Sequence, residues 1–128
     1  MMKNDLFIIQ NLKVTDSEAS ADLLINIYHK LFKGHFPGKP IVPGVCMIQI
    51  VKKMIEKVTR EKTNLLQAKE MKFLAIIDPQ KDNEINAIIK HTINENGIIS
   101  AVATLFKDKT IYFKFKGEFY PKNYIFNN

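Results

Sequence analysis

The chain has 128 residues, 46% of them hydrophobic, and 19 basic against 13 acidic side chains give a net charge of +6. That length supports one compact domain with its own core, spanning residues 1–128, and not two. A pI near 9.4 favours acidic partners, but the bases lack the dense block of a nucleic-acid binder and no apolar run could span a bilayer, which sets aside nucleic acid and membrane insertion.

Residues 6–14 are rich in β-formers, with Leu6, Ile8, Leu12 and Val14 on one parity, and predict a strand. A polar turn around Asp16 and Ser17 follows, and residues 22–29 alternate again, Leu23, Ile25 and Ile27 against Leu24, Asn26 and Tyr28. Two such neighbours make an antiparallel pair. The chain then leaves the second strand near Leu31 and Phe32 for a stretch in which Pro37, Gly38, Pro40 and Pro43 stiffen the backbone.

From Pro43 or Gly44 the spacing becomes helical. Met47, Ile50, Val51, Met54, Ile55 and Val58 form one apolar stripe to about Thr59, with Lys52, Lys53, Glu56 and Lys57 on the wet side. That stripe is too wide for a free surface helix and predicts a helix lying against the concave side of a sheet. Residues 60–64 end it, and the apolar run 65–77, closed by Asp78 and Pro79, reads as a third strand. Ile85, Ala87, Ile89 and Ile93 share a parity in the next, Asn94 to Gly97 carries hairpin chemistry, and residues 98–107 form another. After a turn at Asp108 and Lys109, the last strand should face Ile111, Phe113 and Phe115 inward and Tyr112, Lys114 and Lys116 outward, leaving residues 121–128 as a frayed tail. The sum is an α+β fold: two strands, one long buried helix, then four antiparallel strands.

His35 opens the stiff loop, and Gly44 and its neighbours place unpaired N–H groups at the helix N-terminus, where the dipole is positive. An oxygen gaining negative charge would be stabilised there. The single cysteine, Cys46, cannot form an internal disulfide and suits a reducing compartment, as a small packing residue. With no secretory signal at the N-terminus, a cytoplasmic protein is expected. His91 should sit hydrogen-bonded at the core margin, and His29, ending a strand, carries no functional reading. No His, Cys, Asp or Glu pair has metal spacing and no Gly-rich phosphate loop is present, so no metal and no cofactor is expected.

The string GHFPGKPIVPGV at residues 34–45 resembles the signature of bacterial 3-hydroxyacyl-[acyl-carrier-protein] dehydratases. The resemblance implies a hot-dog fold, an antiparallel sheet wrapped around one long central helix, in a homodimer whose sheets join edge to edge and whose two sites draw on both subunits. It assigns His35 the removal of the proton alpha to a thioester carbonyl, and the Gly44 N–H the binding of that carbonyl oxygen. Phe36, Pro43, Val45 and Ile48 would line the acyl site, and acyl carrier protein would deliver the substrate. The family's carboxylate, fourteen residues after the histidine, is Gln49 here, and a further family glutamine is Lys53. A carboxamide can orient a hydroxyl but has no proton to give. Glu56, two turns on and about 10 Å away, is too distant to stand in. The alternatives are a subunit that binds acyl thioesters and pairs with an acid-bearing homologue, or a hot-dog thioesterase.

Overall fold

The structure, a computed structural model, describes residues 5–34 and 41–126. His35 and Phe36 therefore lie outside the described residues. Strands β1 (Phe7–Val14) and β2 (Glu18–Ile25) are followed by a single helical turn, α1 (Leu31–Gly34), the long helix α2 (Gly44–Thr59), and strands β3 (Thr63–Phe73), β4 (Glu84–Ile93), β5 (Ile99–Lys107) and β6 (Thr110–Pro121). All pairings are antiparallel, and the sheet order is β1-β2-β4-β5-β6-β3. The strands after the helix are thus not a plain meander. β3 crosses to the far edge and pairs with β6, leaving β1 and β3 as the two edges.

One face of the sheet takes the helix. Met47, Ile50, Val51, Met54 and Ile55 are buried on α2 in a core shared with Leu23, Ile25, Ile85, Ile89, Leu105, Phe113, Phe115 and Phe119. Across the sheet the inner rows begin at alanine on β2 and end at phenylalanine on β6: Ala21, Ala87, Leu105, Phe113 in one and Ala19, Ile89, Ala103, Phe115 in the next. The alanines leave room for the helix near β2 and the rings fill the space near β6. Gly117 is required for closeness: a Cβ there would lie 2.5 Å from the Gln67 carbonyl oxygen and 2.6 Å from Phe115 Cζ. A sheet wrapped on one buried helix is the hot-dog arrangement the motif implied.

Three irregularities separate this fold from the simple alternation. Asn11, at φ 53°, sits where the β1–β2 register shifts between Gln10 and Lys13. The extra residue flips the parity, so Phe7, Ile9 and Leu12 pack on the core and Val14 is exposed. A second shift lies opposite Leu105 and Phe106. It turns Ile111 out and buries Tyr112, whose hydroxyl donates to Asp82 Oδ2 at 3.2 Å. That reverses the inward and outward faces expected for these two residues. Third, residues 121–126 form a turn and not a fray. Lys122 N–H bonds the Lys62 carbonyl and Tyr124 N–H that of Pro121, and Tyr120, Tyr124 and Phe126 stack edge-on at 4.7 to 6.3 Å.

Candidate active site

The loop that should carry the chemistry is held at both ends. On the entry side His29 Nδ1 accepts the Leu31 N–H at 3.0 Å, starting α1, and Phe32 is buried in the core. His29 therefore has a structural task that its sequence position did not suggest. On the exit side Val42 is buried, and its N–H donates to the Ile77 carbonyl at 3.0 Å. These two anchored segments flank residues 35–40, which lie outside the described residues.

Pro43 is the N-cap of α2, at φ −62° and ψ 150°, with no side-chain hydrogen bond to the helix. Proline has no side-chain oxygen, so it cannot do what Ser, Asp or Asn does at that position. The Cys46 N–H turns back to the Pro43 carbonyl at 3.0 Å. Gly44 and Val45 supply the remaining amides of the first turn, at the positive end of a 16-residue helix. No acidic side chain lies in that turn, so nothing of its own neutralises the dipole.

Val45, Gln49 and Lys53 follow one another at four-residue intervals and are all exposed, Val45 at 65%. They form the outward ridge of the helix. Ile48 is half-buried and packs on the core, unlike the exposed Val45. Gln49 is exposed on that ridge, away from the sheet. Glu56 is committed elsewhere: its Oε2 accepts the Thr63 N–H at 2.7 Å, tying the helix to β3.

Phe73 is the site residue that the sequence did not reveal. Its ring lies against the helix start, so close that a Cβ on Gly44 would come 2.7 Å from Phe73 Cε1, and it stacks on Phe113 at 4.9 Å. At 52% exposed it forms a wall beside the first turn of the helix. The apolar run 65–77 signalled only a strand; nothing local told which of its residues would meet Gly44.

Cys46 is half-buried, and burial pushes its thiol up from the usual range. It is a packing residue. His91 is buried at the core margin as expected, but its Nδ1 finds no hydrogen-bond partner among the described residues. A hollow of about 480 Å³ crosses the sheet between Lys69, Lys90 and Lys116, on residues remote in register from the helix start. Another, about 370 Å³, lies between Leu6–Ile9 and Lys53 and Lys57. Among the described residues no group of three or more His, Cys, Asp or Glu could hold a metal, and no helix is long and apolar enough to cross a membrane.

A family model described as ApeI-like, ApeI dehydratase, matches residues 11–116. Among curated proteins, the 3-hydroxyacyl-[acyl-carrier-protein] dehydratase FabZ of Clostridium acetobutylicum is 28% identical, covering 68% of this chain and 67% of its own. FabZ of Rickettsia rickettsii is 26% identical, covering 67% and 74%. Among solved structures, one described as the dehydratase heterocomplex ApeI:P from Xenorhabdus doucetiae superposes with a TM-score of 0.65 at 19% identity, over 88% of this chain and 96% of that one. An uncharacterized protein from Erwinia carotovora subsp. atroseptica gives 0.56 at 19% identity, over 90% and 94%.

Proposed function

Because the chain belongs to the ApeI-like dehydratase family, we propose that it removes water from a 3-hydroxyacyl thioester to give the trans-2-enoyl thioester. The substrate is presented on an acyl carrier protein, whose acidity suits a +6 chain. His35 takes the proton from C2. The Gly44 N–H holds the thioester oxygen as it becomes enolate-like, and Gln49 of a facing subunit orients the hydroxyl on C3. Pro43, Val45, Ile48 and Phe36, with Phe73 as a wall, receive the acyl chain.

The observation that supports this reading is the start of α2, where the N-cap Pro43 gives the first turn no side-chain hydrogen bond, with His35 shortly before it in the sequence. Such a device stabilises negative charge on an oxygen. Edge strand β3 provides the joint with the second subunit, since Leu65, Leu66, Met71 and Phe73 are each at least 40% exposed on it. The test is to incubate the purified chain with 3-hydroxyacyl carrier protein and follow loss of one water by mass spectrometry. Enoyl product supports the reading; free acid instead would show a thioesterase.

A second reading is favoured by one comparison: the related fold from Xenorhabdus doucetiae is described as a dehydratase heterocomplex. This chain would then lend His35 and Gly44 to a mixed site whose carboxylate comes from a related subunit. Turnover that appears only when such a relative is added would distinguish it.

A further inference from the structure

We propose that the end of the molecule opposite the start of α2 is a docking surface for an anionic lipid bilayer, which it touches without crossing. This surface is independent of the dehydration reading. After β6 the chain turns back on the start of β3, where the Lys122 N–H donates to the Lys62 carbonyl and the Tyr124 N–H to that of Pro121, both at 2.8 Å. Tyr124 and Phe126 then pack edge-on against Tyr120 and each other at 4.7 to 6.3 Å. The residue between them is left outside. Ile125 is 80% exposed and Phe126 51%, so a turn held by hydrogen bonds and stacked rings presents apolar side chains to the surroundings.

The rim of this apolar tip is basic. Lys62 and Lys122 are exposed beside it, brought together by the backbone bond between them. Lys62 also lines a hollow of about 410 Å³ with Lys53, Lys57, Arg60, Glu56 and Glu61. Glu56 is already engaged by the Thr63 N–H and by Lys53, so the balance there is positive. Phosphate headgroups are the complementary partner, each cation near an anionic bilayer strengthening binding about fivefold. Tyrosine rings belong at the same level, with the ring toward the apolar boundary and the hydroxyl among the headgroups. An acidic protein would satisfy the cations; a bilayer satisfies the cations, the tyrosines and Ile125 together.

The placement agrees with such a contact. The 16 residues of α2 span about 24 Å, and Glu56 ties the far end of the helix to Thr63, which pairs with Pro121. The lipid-facing end is thus nearly a helix length from Gly44, and the start of α2 stays clear of the bilayer. Among the described residues no helix is long and apolar enough to cross.

The experiment sediments the full chain with vesicles of phosphatidylglycerol and phosphatidylcholine in equal parts, and with phosphatidylcholine alone. Binding to the anionic vesicles should be at least about tenfold tighter and should weaken as salt rises. Ile125→Ser should lower it about tenfold, and Lys62→Gln with Lys122→Gln about 25-fold. Lys72→Gln with Lys114→Gln removes the same charge at the other end of β3 and β6, and should change binding less than about twofold. Because the chain has no tryptophan, Ile125→Trp adds a single one, whose emission should shift to the blue on anionic vesicles. The substituted tip and rim positions are exposed, so the variants should keep the wild-type circular dichroism. No sedimentation with anionic vesicles, equal binding to both kinds, equal losses from the two lysine pairs, or an unshifted Ile125→Trp emission would each overturn the proposal. Binding of a poly-glutamate peptide that depends on Lys62 and Lys122, without vesicle binding, would also overturn it and assign the surface to an acidic protein.

Discussion

The two ends of α2 are finished in opposite ways. At the far end several devices of helix termination are present. Arg60 adopts the left-handed conformation and returns its N–H to the Glu56 carbonyl, Lys57 faces the negative end of the dipole, Thr59 Oγ1 donates to the Ile55 carbonyl at 2.8 Å, and Glu56 grips Thr63. At the near end Pro43 offers no side-chain cap, only its carbonyl to the Cys46 N–H, and Gly44 leaves its flank to Phe73. The contrast teaches a division of labour. The C-terminal end is tied into the fold by side chains, and the N-terminal end has no side-chain cap, as the proposed carbonyl-binding role requires.

That division can be broken by substitutions at one end that ought to leave the other property alone. The largest effect belongs to the near end. His35→Ala should cut dehydration about 100- to 10,000-fold while the melting temperature stays unchanged. A collapse in stability instead would make the loop histidine structural. At the far end Glu56→Ala should destabilise by about 1–3 kcal/mol, since a buried N–H loses its charged acceptor, with kcat preserved in the folded fraction; denaturant titration and initial rates measure the two. Gly44→Ala should move stability by less than about 1 kcal/mol, because better helix propensity offsets the displaced Phe73 ring. The moved ring should nonetheless change the preferred acyl length, read from rates across a chain-length series.

The smallest effect lies away from both ends. Burial first, then the Asp82 charge and hydrogen bond, raise the Tyr112 phenol above its ordinary range. A raised acid keeps its proton longer in the folded state, so this contribution is whole below the unfolded pKa of about 10 and is lost as pH rises through the folded value. Tyr112→Phe should make the alkaline loss of stability shallower in thermal melts between neutral and alkaline pH.

The helix was legible because its stripe is local: Met47 to Val58 announce it, and Gly44 and Thr59 bound it where the spacing said. The helix start at Gly44 was legible for the same reason, whereas most of the loop motif ahead of it lies outside the described residues. Features set by two distant segments were not. The bulges at Asn11 and beside Tyr112 reverse parity through pairing, which no single strand displays. The second strand begins at Glu18, four residues before the alternation suggested, because Ala19 and Ala21 are buried without looking like strand formers. The crossing of β3 to β6 decides that Leu65, Leu66 and Met71 face outward and brings Phe73 to Gly44, 29 positions away in the chain.

The central claim is that an imidazole ahead of an open helix start moves the C2 proton of a thioester. It is tested most directly by running the reaction backward in deuterium oxide. The wild-type chain should hydrate a trans-2-enoyl thioester with one deuterium placed stereospecifically at C2, and His35→Ala should place none. Equal labelling by both proteins, or hydration with random labelling at C2, would contradict the account.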